Sequence, residues 1–241
     1  MMWLKIASLV SASSPDIVEH LRGKARWIGR ASLPEQDEVK TTEQMFRMVW
    51  KAVRELYEAK IVYDAFIDRM SDIIPQQLRK AWNAGMRANG LDPARDQTPE
   101  WEAVFIEFVV GQFEHVDRFA ADIVAARVAQ SGTAGLRMRA NMWANRYNEC
   151  RDLATLTTAR REDNLIWVLG EAEHCPTCLA IAGTVAGRDD WEIARDAGLF
   201  PKSGKLKCKG FNCKCRLEKT KQRKSPRALD AIITIALEMQ E

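Results

Sequence analysis

Five of the six cysteines in this 241-residue sequence, Cys175, Cys178, Cys208, Cys213 and Cys215, fall within 41 residues. No other feature restricts the fold as strongly. So short a segment holds little hydrophobic core, and an ion that draws thiolates together supplies folding energy directly. In a chain made in a reducing compartment, such clustering points to metal binding rather than disulfide staples.

Cys175-Pro-Thr-Cys178 reads as a CxxC hairpin. Two thiolates three residues apart on a tight turn reach two corners of a tetrahedral zinc site, at a Zn–S distance of ~2.3 Å. Downstream stands Cys208-Lys-Gly-Phe-Asn-Cys213-Lys-Cys215, where Gly210 supplies the positive φ of a knuckle turn. The second ligand pair is Cys208 with Cys213 or Cys208 with Cys215. Cys213 and Cys215 are expected to differ in role, one of them joining Cys208 in the second pair. The expected metal site is therefore four of these five cysteines. His174 adjoins the first pair and ranks below them as a ligand. A closed Cys₄ site is structural, with no open position for a reacting water. It explains how a loop-rich segment carrying Gly183, Gly187, Gly198 and Gly204 folds. A CxxC redox site is the competing reading, but no thioredoxin-like βαβ pattern surrounds it.

Net charge is +3, yet Phe200–Ala228 holds 11 Lys and Arg against one Glu, a net +10 on a body of −7. Such a segment suits phosphates or an acidic protein surface, or else simply keeps the chain solvated. Lys202, Lys205, Lys207, Lys209, Lys214, Arg216, Lys219, Lys221, Arg223 and Lys224 are the candidate nucleic-acid contacts. Catalytic signatures are missing: the sequence contains no HExxH, GxSxG, Walker loop or GxGxxG. His20, His115 and His174 lie in unrelated contexts. Asp189-Asp190 reads as a helix N-cap rather than a carboxylate pair for metal. The chain is expected not to be an enzyme.

The rest reads as helices. The opening MMWLKIASLVSASS has Lys5 within a short apolar stretch, so it is expected to be a packing arm, with synthesis in the cytoplasm. Thr41 and Gln44 have capping-box spacing, and Phe46, Val49, Val53, Leu56, Tyr63, Ile67 and Met70 follow at helical spacing with a gap at Lys60. That predicts one long helix ending near Pro75, with a further turn through Leu78, Trp82 and Met86. Thr98-Pro99-Glu100 starts a second, whose stripe runs from Trp101 to Val124 and closes at Ser131-Gly132. A third runs from Thr133 with Leu136, Ala140, Trp143, Tyr147, Cys150 and Ala154 on one face, which makes Cys150 a core residue. Asn164–Leu169 suits a buried strand, and Ala228–Glu241 a docking helix. No uncharged apolar run approaches the ~20 residues of a membrane span.

The stretch from Trp167 to Leu217 resembles the C-terminal module of phage Mu F-like minor head proteins, the head morphogenesis family of tailed phages and prophages. The matching positions are Trp167, Cys175, Cys178, Gly183, Cys213 and Cys215. The terminal element reads C-K-C-R, with Lys214 where arginine is common, and Cys208 stands where many members carry a His-Pro pair. The resemblance covers roughly 50 residues, the scale of a module. It implies a virion-associated structural protein, made in the host cytoplasm and placed in the virion head at the portal. It further implies capsid or scaffold partners, a multi-copy assembly and no membrane, with structural zinc and non-specific contacts to packaged DNA. The expected architecture is mainly α: an arm and linker over 1–40, a helical body over 41–160, a zinc-ribbon-like α+β module with basic tail over 161–227, and a docking helix over 228–241. Other functions compatible with the residues are a zinc-containing DNA-binding protein (a regulator or nuclease accessory) and a CxxC redox protein.

Overall fold

Helix α1 (Glu38–Tyr57) buries Met45, Val49, Ala52, Val53 and Leu56, whereas Phe46, read as the start of the stripe, is only partly buried. The structure, a computed structural model, describes residues 38–210 and 213–239. The opening apolar stretch lies outside those residues. The described residues are mainly helical with a small three-stranded sheet, and none of their helices is long and apolar enough to cross a membrane.

Several helix boundaries differ from expectation, beginning with α1, which starts at Glu38, ahead of the Thr41–Gln44 capping-box spacing. The gap at Lys60 is a true break. Ala59 adopts φ 55°, and Lys60 N and Ile61 N both bond back to Glu55 O, closing α1 before α2 (Tyr63–Ala88) begins. Helix α2 then runs straight through Pro75. A proline forfeits one helical hydrogen bond and crowds the preceding turn. Burial of Ile73, Ile74, Leu78, Ala81, Trp82 and Met86 on both sides of it outweighs that cost.

After a short turn, α3 (Pro93–Asp96), Thr98 caps α4 (Pro99–Phe113), its hydroxyl accepting from Trp101 N at 3.3 Å. The stripe expected to continue to Val124 is divided at Glu114-His115, where α4 ends and α5 (Val116–Val128) begins. The reason is which partner each half covers. Phe105 of α4 packs edge-on against Trp82, whereas Phe119 of α5 packs against Phe66 at the other end of α2. Helix α6 (Ala134–Thr158) lies along α1 and α2 and buries Cys150 fully, with its thiol donating to Leu78 O at 3.4 Å. The α2–α6 crossing is close: a Cβ on Gly85 would collide with Arg151 O and stand 2.6 Å from Ala154 Cβ.

The sheet has the order β2-β1-β3, all antiparallel, from β1 (Asn164–Val168), β2 (Val185–Gly187) and β3 (Arg216–Thr220). Leu165 and Trp167 alternate inward along β1. Helix α7 (Pro176–Ile181) lies between β1 and β2, and α8 (Arg188–Ala197) follows β2. Asp190 sits at the third position of α8, and its carboxylate accepts from Gly187 N at 3.0 Å, so it caps the helix from within. Trp191 donates to Leu165 O at 3.0 Å and stacks obliquely on Trp167. Helix α9 (Ala228–Glu238) docks Ala228, Ile232 and Ala236 against α7 and α8. One hydrophobic cluster runs from α1 to α9, so the sheet and the helices share a core.

Candidate metal centre

Three segments meet beyond the end of β1. Leu169 and Gly170 leave the strand towards His174 and Cys175, and Cys175 caps α7. Cys178 is buried on the first turn of that helix. The long connection after α8 carries Cys208, Cys213 and Cys215 into β3. Register brings the ends together, since Val168 pairs with Arg216, one residue past Cys215. The CxxC therefore opens a helix and is not the expected hairpin. Pro176 is the cause: its fixed φ suits the first helical position, and its missing N–H costs nothing there.

All five expected cysteines converge, in two groups of three. Within Cys175, Cys178 and Cys208 the sulfurs lie within 4.8 Å of one another, and the same holds for Cys178, Cys213 and Cys215. A tetrahedral thiolate site has S···S edges of ~3.8 Å, as follows from Zn–S ~2.3 Å. Cys178 belongs to both groups. The second group is fully buried, whereas Cys175 and Cys208 are half-buried. Cys175 and Cys178 stand with sulfurs 3.5 Å apart, well beyond the ~2.05 Å of a disulfide. The chemistry of the donors is soft and sulfur-rich, which selects zinc, copper(I) or iron–sulfur over magnesium or calcium.

The thiols perturb one another strongly. Hydrogen bonds from Cys178 and then Cys215 hold the Cys213 thiol far below its ordinary range. Hydrogen bonds with Cys213 and then Cys215 push Cys178 far up, with burial and the Cys213 charge adding to them. Cys208 is raised to about 12, chiefly by burial. A bond with Cys178 pulls Cys215 down, but its bond to Cys213, burial and the Cys213 charge together raise it to about 11. For Cys175 burial is the largest influence and acts upward, and hydrogen bonds from Cys178 and Cys208 outweigh it, so the thiol ends lowered. Like charges this close cannot all ionise unaided. A bound cation supplies the positive charge that lets several become thiolates together. The indole N–H of Trp167 fits that state. It is buried at 1% exposure with no ordinary acceptor, yet lies near enough to Cys215 to favour its thiolate.

Glycine is required at two points of this architecture. Gly210 has φ +71°, as the knuckle reading expects, and a Cβ there would collide with Lys202 O. A Cβ on Gly170 would collide with Lys214 O, so glycine lets the Cys213–Cys215 segment lie against the loop leaving β1.

Lys202, expected among the phosphate contacts, belongs to the interior. It is 1% exposed, and its ammonium bonds Asp152 Oδ2 at 2.5 Å and also Cys215 O. The reason is that Asp152, wholly buried on α6, requires a cation, and Lys202 spans the seam between α6 and the cysteine loop. Glu149, one turn earlier, is raised to about 7, first by burial and against the pull of Arg146 and Lys202. Nothing in the sequence pattern marked this charge cluster, because its members are 50 residues apart.

Among the remaining expected cations, Lys205, Lys207, Lys209, Lys214, Lys221 and Arg223 are exposed. Arg216 pairs with Glu218, Lys219 with Asp163 at 2.7 Å and Lys224 with Asp190 at 2.5 Å. Intramolecular pairs thus neutralise part of the +10 segment. No protein-family model, curated protein or solved structure matches the chain.

Proposed function

We propose that this chain is a structural minor head protein of a tailed phage or prophage, non-catalytic, acting beside the portal in head morphogenesis and carrying zinc in its thiol cluster. The observation that supports this reading is the convergence of Trp167, the Cys175–Cys178 pair and the Cys213–Cys215 pair on one site. They are five of the six positions that carry the resemblance, Gly183 being the sixth. In this reading the small sheet with its cysteine loops is a zinc-ribbon-like knob, fastened to the helical body through Lys202 and Asp152. Lys205, Lys207, Lys209, Lys214, Lys221 and Arg223 then face packaged DNA, making sequence-independent phosphate contacts.

Protein purified without chelator tests the metal, and purified phage particles test the location. Stoichiometric zinc, with the chain present in heads and Cys178→Ser absent from them, is the expected outcome. A metal-free protein, or heads that assemble without the chain, overturns the reading. The redox alternative has one observation in its favour: Cys175 is half-exposed at the start of α7 with a lowered thiol pKa. A reversible Cys175–Cys178 disulfide in metal-free protein is the result that moves the assignment there.

A further inference from the structure

We infer that Lys202 and Asp152 are positioning residues of the metal centre, so that the affinity for the ion is set in part from α6, a helix that carries none of the five clustered cysteines. The inference rests on the metal reading above and names residues outside the ligand set that decide how tightly the ion is held.

Lys202 holds the cysteine loop through side chain and backbone alike. Its ammonium bonds Cys215 O, and its backbone hydrogen-bonds the Cys213 sulfur. Its carbonyl packs so closely on Gly210 that no Cβ fits between them. Whichever of Cys213 and Cys215 binds the ion, Lys202 touches it. The residue also takes φ +67°, a left-handed conformation rare for anything but glycine, asparagine or aspartate. Such a conformation persists where the surrounding structure over-determines it, and it concentrates at ligand sites. Here the contacts to Cys213, Cys215 and Gly210 on one side, and to Asp152 on the other, do so.

Asp152 supplies the other half of the device. It is wholly buried on α6, with Oδ2 accepting from Lys202 at 2.5 Å and Oδ1 from Arg151 at 3.1 Å. A buried ion pair adds little net stability over apolar side chains of the same volume. What this pair supplies is position: it fixes the ammonium that in turn fixes Cys215 O. An ion that orders the cysteine loop therefore favours the Lys202–Asp152 contact. By linkage that contact favours the ion by the same factor. Metal binding and attachment of the small sheet to the helices become one event.

Zinc affinity of the full-length protein, measured by competition with a chromophoric chelator, tests the coupling. Lys202→Met and Asp152→Asn should each weaken zinc binding by roughly 10- to 100-fold, the range for partners that orient a metal ligand. The double variant should bind zinc no more weakly than the weaker single one, because both changes break one contact. It should keep that loss of affinity while regaining thermal stability, since no charge is left stranded. A merely structural pair predicts the opposite, affinity returning with stability. Phe119→Leu, a destabilising change beside Phe66 and away from this seam, should leave affinity unaltered. Affinity unchanged in both single variants, or restored in the double one, overturns the inference and leaves the metal reading standing. A wild-type protein that binds no zinc overturns both. Should a variant fail to fold, hydrogen exchange on the wild type decides. Chelation should speed exchange of the α6 amides around Asp152 by roughly 10-fold or more, the reciprocal of the affinity change, and leave those around Phe66 and Phe119 as they were. Equal protection of the Asp152 turn with and without the ion overturns the coupling.

Discussion

Replacing Lys202 with methionine separates a structural lysine from a DNA-binding one. Methionine keeps the length and apolar stem of the side chain and removes only the ammonium. The wild-type amine bonds Asp152 Oδ2 and Cys215 O, at 1% exposure. Its loss strands a wholly buried carboxylate whose remaining cation is Arg151, at 3.1 Å. Removing one partner of a buried ion pair costs about 3–5 kcal/mol, mostly as the uncompensated charge left behind. Arg151 offsets part of this, so the lower end, about 3 kcal/mol, is expected. For a chain of this size that is a fall in Tm of roughly 10 °C. Paired urea and thermal unfolding of the zinc-loaded protein measures it. The double variant Lys202→Met, Asp152→Asn should recover most of the loss, because no charge is then stranded. The slope of log affinity for DNA against log salt should stay unchanged in Lys202→Met, since a buried amine releases no counterion. Each neutralised exposed cation, such as Lys221→Met or Arg223→Met, should instead lower that slope by about 0.9. A Lys202→Met protein as stable as wild type, or one whose salt slope falls, refutes the reasoning.

Three further outcomes follow from particular contacts. Glu149 has a folded pKa raised from 4.5 to about 7 by burial, so the folded state holds its proton more tightly than the unfolded chain. Its contribution is therefore full below pH 4.5 and lost as pH rises through 7, about 3 kcal/mol across that window. Glu149→Gln should flatten that part of the stability–pH curve and gain on wild type at pH 8; an unchanged difference between the two proteins from pH 5 to 8 counts against the shift. Gly85→Ala forces a methyl into Arg151 O and Ala154 at the α2–α6 crossing, where backbone cannot yield. It should cost about 1–3 kcal/mol by urea midpoint, and a neutral result would mean the helices can separate freely. Chelation should lower Tm and unfold the cysteine loops, while far-UV circular dichroism keeps most of its helical signal, because none of the five clustered cysteines lies on α1–α6. Collapse of the whole helical signal on chelation would contradict that division.

Much of this architecture was legible in the residues because it depends on local rules. The Thr98-Pro99 start of α4 follows from backbone donors that need a cap. The α6 stripe through Cys150, the β1 run and the apolar face of α9 follow from 3.6- and 2-residue periods meeting one core. The convergence of five cysteines was legible because spacing and residue type carry metal chemistry in themselves. Tertiary contacts decided the rest. Pro75 stays helical because its flanking side chains are buried on both sides, and the Trp101–Val124 stripe breaks because its two halves cover different ends of α2. Lys202 reads as one more cation in a basic run until Asp152, 50 residues earlier, is seen to need it. His174 reads as a lone histidine until Gly170 O and Cys215 Sγ fix its ring from either side. Periodicity and spacing report what a segment presents. A buried charge or the orientation of an imidazole ring is defined by what the folded chain brings opposite it, and only the fold supplies that partner.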